Sequence, residues 1–172
     1  MLSMAEWFAS KNIRNVCALA GNVATASPIS DMNPTLMATG CQLQLQSQTR
    51  GERSVAVRDF FTGYRRTLLA GDEVIRAIRV PLRVTPRFTF CRSYKQGRRR
   101  DDDIAIVNAG FRVRLQADTA GRQWRVAEAH ASFGGMAATS VSAPRTAAAL
   151  VGQPWGLNTV TAALDVLRDE HS

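Results

Sequence analysis

The chain reads as an α+β protein built in two units, and three observations predict that class. Residues 41–47 alternate at period two, with leucines on one face and glutamines on the other, and the chain then returns through a second extended run. Residues 88–133 hold three more alternating runs. Only after them, from Pro144 and again from Thr159, does apolar spacing of three and four set in, which is the order of an antiparallel sheet closed by helices. A length of 172 residues with 45% hydrophobic content supports one ordinary core or two small ones.

Taken in order, residues 3–10 read as a short helical turn burying Met4, Trp7 and Phe8. Ile13 to Leu19 alternates imperfectly and reads as a strand. Ala20 to Pro34 is a polar loop, and Pro34 opens a short helix with Asn33 as its cap. Gly40 ends that helix. The Cys41–Ser47 strand pairs with Ser54–Val57 across a turn at Arg50-Gly51-Glu52-Arg53. Asp59 to Leu69 reads as a loop with a helical turn, in which Phe60, Phe61 and Tyr64 serve as core. A strand from Val74 to Val80 is stopped by Pro81, and 81–86 is the candidate boundary between units at 1–82 and 86–172.

The second unit begins with a strand over Phe88–Lys95, followed by a charged crossing loop from Gln96 to Asp103. A long strand over Ile104–Leu115 carries Gly110 inside it, Ala117–Gly121 turns, and Trp124–Phe133 returns. Gly134-Gly135 breaks the strand sharply and permits close packing. Helices then cover Ala143–Val151 and Thr159–Arg168, the latter burying Val160, Ala163, Leu164 and Leu167.

Composition excludes several functions. The formal charge of +8 is carried by arginine, since Lys11 and Lys95 are the only lysines. Aromatic residues are not interleaved with the arginines, and no nucleic-acid-binding motif is present, so nucleic acid is not an expected partner. No apolar run approaches the ~20 residues of a membrane span, which leads to the expectation of a soluble, cytoplasmic, non-secreted protein. Cys17, Cys41 and Cys91 are odd in number and scattered, which suits small buried hydrophobes rather than a disulfide framework or a zinc site. His130 falls inside an alternating strand as a structural residue. No hydrolase triad, Walker loop or Rossmann fingerprint occurs.

The loop from Ala20 to Pro34 holds Asn22, Thr25, Ser27, Ser30 and Asp31 with no lysine or arginine. Amides and hydroxyls beside a helix start suit a neutral heterocycle with a ribityl or sugar chain. The alternative is a hydroxyl-rich turn that caps itself. Downstream, Arg98-Arg99-Arg100 followed by Asp101-Asp102-Asp103 is either a solvated charged loop or an electrostatic gate.

Four separated motifs, in order over nearly the whole chain, resemble the flavin domain of the xanthine dehydrogenases, a branch of the molybdenum hydroxylases. They are Gly21-Asn22 with Thr25-Ala26-Ser27-Pro28-Ile29-Ser30-Asp31-Met32-Asn33-Pro34, Phe60 to Leu69, Lys95 to Ala105, and Phe133-Gly134-Gly135-Met136-Ala137. Aldehyde oxidases share the architecture, and bacterial carbon-monoxide and nicotinate hydroxylases carry a similar module that fits less well.

The resemblance implies a fold and a role. The fold is the second part of a PCMH-type FAD-binding domain followed by a small three-stranded antiparallel sheet with helices, like the C-terminal domain of CO dehydrogenase flavoproteins. The role is that of an oxidoreductase component, inactive alone, relaying electrons from 2Fe-2S clusters through FAD to NAD or oxygen during purine oxidation. The iron-sulfur and molybdopterin centres belong to partner domains or subunits of a dimeric parent. By resemblance Gly21, Asn22, Thr25, Ser27, Asp31 and Lys95 contact the cofactor, Phe8 and Ile75 flank its rings or adenine, and Arg99, Asp101, Asp102 and Asp103 form the flavin-access loop. No residue of this chain is expected to be a catalytic acid or base.

Ala18 and Ala20 stand where that family usually has serine and glycine, and the lost hydroxyl is worth ~1 kcal/mol. The family's pyrophosphate loop would precede Met1 and its closing helices would follow Ser172, so the chain reads as an internal fragment or an incomplete gene product. The competing account is a truncated remnant or interaction module that keeps the fold without FAD.

Overall fold

A computed structural model describes residues 2–81, 88–99, 102–118 and 120–171. The N-terminal segment is helical throughout: α1 (Leu2–Glu6), α2 (Lys11–Val16), α3 (Leu19–Ala24) and, after the polar loop, α4 (Asn33–Ala38). The strand expected over Ile13–Leu19 is therefore replaced by α2 and α3. Ser10 explains the change, because its hydroxyl accepts from the Ile13 amide and caps α2. Ile13 and Val16 are exposed, so their alternation reflects no buried face. Met4 is buried as expected, whereas Trp7 is half-exposed.

In α4 the proline occupies the first turn, but Met32 is the N-cap and Asn33 is the first helical residue. Every residue of α4 is buried. Gly40 ends it with φ +73°, a conformation that costs glycine nothing. Strands β1 (Gln42–Ser47), β2 (Gly51–Ala56) and β5 (Glu73–Arg79) form one antiparallel sheet in the order β2-β1-β5. Its turn is Gln48-Thr49-Arg50, so β2 starts earlier than the sequence suggests. The first core joins Met4, Val23, Leu36, Leu43, Leu45, Val57 and Phe60. Between β2 and β5 lies a small hairpin, β3 (Phe61–Gly63) and β4 (Arg66–Thr67), where a loop was expected. Phe60 is core, Phe61 packs edge-on against it at 5.5 Å, and Tyr64 is exposed.

Glu73 locks this sheet. Its carboxylate accepts from Arg53 Nε at 2.7 Å, Arg53 Nη2 at 2.8 Å and the Ala70 amide at 2.9 Å. Arg53 first, then the Ala70 amide, hold its pKa down to about 2. A carboxylate depressed in the folded state contributes stability that is full above its ordinary value of 4.5 and is lost as pH falls toward 2. Glu73→Gln is expected to flatten the decline of the unfolding midpoint across that window; an unchanged pH profile would show that other groups drive it.

Strands β6 (Thr89–Gln96), β7 (Val107–Ala117), β8 (Trp124–Gly134) and β9 (Val141–Ser142) make a four-stranded antiparallel sheet in that order. The two-residue β9 is one strand more than expected, formed where the chain returns after Gly134-Gly135. Residues 104–106 lie outside β7. Helices α5 (Pro144–Leu150) and α6 (Leu157–Glu170) complete the unit. On α6 Ala163 is buried, whereas Leu164 is half-exposed, contrary to the expected stripe. Cys41 is buried, but Cys17 and Cys91 are exposed, which corrects the uniform expectation for the cysteines.

The expected boundary at 81–86 lies outside the described residues beyond Pro81, as do Arg100 and Asp101 of the charged loop. The two sheets are joined by α4, which packs on β7 and β8. Thr35 Oγ1 of α4 and Ser93 Oγ of the neighbouring β6 sit 2.7 Å apart. Close approach requires Gly110, whose added Cβ would stand 2.5 Å from the Pro34 carbonyl oxygen and 2.7 Å from Thr35 Cα. At Gly134 a Cβ would meet Asn108 Oδ1 at 2.2 Å, and Gly135 adopts φ +85° while its amide donates to the Pro28 carbonyl at 2.9 Å.

Candidate functional site

The polar loop between α3 and α4 is held from both sides. Asn108 of β7 donates through Nδ2 to the Ser30 carbonyl at 2.9 Å, and Ser30 Oγ donates to Asn22 Oδ1 at 2.9 Å while accepting from the Asn33 amide at 3.3 Å. Part of its polarity thus caps itself. Thr25 is exposed and donates to the Gly21 carbonyl at 2.9 Å, closing the end of α3.

A cleft of ≈ 270 Å³ opens beside this loop. Phe8, Asn22, Ser27 and Asp31 line it, and so do Asp102 and Asp103 from the charged loop. Six of the expected site residues therefore come together although they span 96 positions of sequence. Gly21, Thr25 and Ile75 do not line it; Ile75 packs against the first core from β5. Lys95 and Arg99 face an adjoining hollow with Trp7, and Asp101 lies outside the described residues.

Lys95 reaches the cleft through Asp31. Its Nζ donates to Asp31 Oδ2 at 2.8 Å and to the Trp7 carbonyl at 3.0 Å, tying β6, the polar loop and the N-terminal helices together. Both side chains are nearly buried, 11% and 7% exposed. Burial raises the Asp31 pKa above the ordinary carboxylate value, and the Lys95 ammonium opposes that rise. Asp31 Oδ1, both amide atoms of Asn33 and Asn108 Oδ1 are buried without a hydrogen-bond partner, which makes four of the seven such atoms among the described residues. These atoms lie beneath the cleft surface, and Asn33 and Asn108 do not line the cleft, so they do not themselves form its polar lining.

The charged loop closes on itself. Asp103 Oδ2 accepts from the Arg98 and Arg99 amides at 2.6 and 2.8 Å, and Arg99 Nη2 donates to the Asp102 carbonyl at 2.7 Å. The Arg99 amide is the leading cause of a lowered Asp103 pKa. Three cleft residues, Ala9, Arg65 and Asp102, hold φ values of 45°, 52° and 50°, where side chains other than glycine are strained. Sequence patterns give no sign of Ala9 at this site, and Arg65 falls inside the Phe60–Leu69 motif without a role assigned to it, since nothing in spacing reports a left-handed backbone. Asn108 carried a weak sign, a lone amide in an apolar strand.

Two family models cover nearly the whole chain. The FAD binding domain in molybdopterin dehydrogenase matches residues 2–83, and the CO dehydrogenase flavoprotein C-terminal domain matches residues 92–172. The chain belongs to the FAD-binding domain family of the molybdopterin dehydrogenases. Xanthine dehydrogenase of Oryza sativa subsp. japonica is 38% identical over 170 residues, 99% of this chain and 12% of that protein. Xanthine dehydrogenase/oxidase of Gallus gallus is 45% identical over 155 residues, 90% of this chain and 11% of that protein. Nicotinate hydroxylase hnxS of Emericella nidulans is 46% identical over 151 residues, 88% of this chain and 11% of that protein. The chain thus spans about a tenth of these curated relatives. Carbon monoxide dehydrogenase from Hydrogenophaga pseudoflava superposes with a TM-score of 0.85 at 26% identity, over 95% of this chain and 54% of that one. The flavoprotein family and the mixed α/β architecture expected from the four motifs are those found.

Proposed function

We propose that this chain is the flavin-holding, electron-transferring segment of a xanthine dehydrogenase-like molybdenum hydroxylase. One observation carries the reading: the motif residues Phe8, Asn22, Ser27 and Asp31 line a single cleft together with Asp102 and Asp103 of the charged loop. A flavin dinucleotide is rimmed with hydroxyls and ring donors and acceptors, which the Asn22, Ser27 and Asp31 side chains can bind, while Phe8 offers an apolar wall. Thr25, whose hydroxyl donates to Gly21, still has lone pairs to accept from the cofactor, and Lys95 holds Asp31 in place. When bound, the flavin supplies electron and hydride transfer chemistry of its own.

In this reading electrons arrive from iron-sulfur domains of the parent, leave to NAD or oxygen, and originate in purine hydroxylation at a molybdopterin domain. The parent is a cytoplasmic dimer; among the described residues no helix is long and apolar enough to cross a membrane. Residues 1–82 form the flavin-binding unit and residues 86–172 the closing unit, and the loop through Arg99, Asp101, Asp102 and Asp103 controls access to the flavin ring. The remainder of the dinucleotide pocket lies on other parts of the parent.

Titration of the purified chain with FAD, read by quenching of flavin fluorescence, is expected to show weak saturable binding. Asp31→Ala weakens it at least tenfold, and Thr25→Ala about fivefold, in line with one hydrogen bond of ~1 kcal/mol. An affinity indifferent to Asp31→Ala would remove this reading. Absence of any saturable binding, in the parent protein as well, would favour a remnant that no longer holds FAD.

A further inference from the structure

A second cleft, ≈ 410 Å³ in volume, opens past the C-terminal end of α4, where the two units meet. None of its lining residues belongs to the cleft beside the polar loop. Arg58 and Arg79 face it from the first unit; Arg112, Glu128 and His130 face it from β7 and β8. Three guanidiniums therefore stand against one carboxylate.

That carboxylate is already engaged. Glu128 pairs with Arg112, with Arg114 at 3.5 Å, and with His130 Nε2 at 3.0 Å. Among the described residues the one ion pair of Arg58 is with the solvent-exposed Asp59, at 3.7 Å, a contact of little strength. Arg79 makes no ion pair or side-chain hydrogen bond among the described residues. The C-terminal carbonyls of α4 would oppose an anion, but those of Thr35, Leu36 and Met37 already accept from the Thr39, Cys41 and Gly40 amides. The uncompensated charge of the cleft is positive.

We infer that this inter-unit cleft binds a small multivalent oxyanion of the phosphate class, clamped by Arg58 and Arg79 from one unit and Arg112 from the other. Guanidinium forks match phosphate oxygens bidentately, and a concave site with low-dielectric walls strengthens that attraction. The ligand would bridge the two units, so its binding fastens one sheet to the other independently of the flavin cleft. His130 responds to it. Burial, then Arg112 and Arg58, hold its pKa below the ordinary 6.5, so at neutral pH it is uncharged and donates to Glu128. Facing it are Glu128 from its own strand, Arg112 from β7, Arg58 from the turn after β2, and Arg79 across the cleft. An anion among these arginines offsets their repulsion and favours the imidazolium, so affinity rises as pH falls from 7.5 to 6.

The test is calorimetric titration of the whole 172-residue chain with sulfate, inorganic phosphate and pyrophosphate at constant ionic strength. One saturable site is expected, with pyrophosphate at least tenfold tighter than sulfate. Arg58→Ala and Arg79→Ala each weaken it at least fivefold, whereas Arg122→Ala, on the hairpin turn between β7 and β8, leaves it unchanged. Both cleft arginines are exposed, so the unfolding temperature of these variants without anion should match the parent's. With sulfate, whose charge is constant over this range, His130→Gln abolishes the gain at lower pH. The inference is overturned if no saturable site exists, if Arg122→Ala weakens binding as much as Arg79→Ala, or if Arg65→Ala in the flavin cleft weakens it more. FAD affinity unchanged in the Arg58 and Arg79 variants separates this site from the flavin reading.

Discussion

Gly110→Ala is expected to destabilise the fold by about 3 kcal/mol or more, at the top of the range for overpacking a tight contact. The new methyl would stand 2.5 Å from the Pro34 carbonyl oxygen, 2.6 Å from its carbon and 2.7 Å from Thr35 Cα. All three are backbone atoms, so no rotamer change relieves the clash; α4 itself must lift from β7 or β7 must bend. Because α4 follows the polar loop directly, the same shift loosens the seat of Asp31, and FAD binding should weaken alongside stability. Gly71→Ala is the control, since nothing lies within 4 Å of its added Cβ and its φ is not positive. It should be neutral or stabilising by up to ~1 kcal/mol. Urea midpoints for the two variants that coincide would show that the sheet and helix accommodate the methyl freely.

Lys95→Met is expected to cost about 3 kcal/mol near pH 7, because removing one member of a buried pair leaves the other charge uncompensated. Asp31 then keeps its burial and loses the ammonium that opposes it, so its already raised pKa climbs further. The sign follows from linkage. A carboxyl whose folded pKa lies above its unfolded value adds stability that is full below the unfolded pKa and fades as pH rises through the folded one. The deficit of Lys95→Met should therefore shrink as pH is lowered from 8 toward 5, opposite in direction to the Glu73 contribution. Adding Asp31→Asn should recover more than half of the loss, since a neutral amide needs no counter-ion. A deficit that stays constant with pH would assign the effect to lost packing of the lysine stem and its bond to the Trp7 carbonyl.

Period-two alternation made β1 legible, because a half-buried strand imposes its pattern residue by residue; β6 alternates too, but its aromatic positions Phe90 and Tyr94 lie on the exposed face. The N-terminal region was misread for a related reason. Ile13, Val16 and Leu19 are all exposed in short helices, so no buried face wrote a helical period into them. The small hairpin β3–β4 and the two-residue β9 leave no period at all at that length. At the site, motif wording singled out Asn22, Ser27, Asp31, Asp102 and Asp103, which line one cleft. It also singled out Ile75, which packs in the core from β5, and Thr25, whose hydroxyl closes α3.

From sequence alone came the flavoprotein family, the α+β class and the residues of the polar loop, since these depend on local pattern and on motif order along the chain. The tertiary structure decided which polar groups are spent on one another: Ser30 serves Asn22, Asp103 serves its own loop, and Asp31 pairs with Lys95 at the wall of the cleft. It also brought Arg58 and Arg79 opposite Arg112 across the unit boundary. Pairing of distant side chains depends on how α4 seats against β7, and that contact is set by the packing of backbone at Gly110, which no one-dimensional pattern encodes.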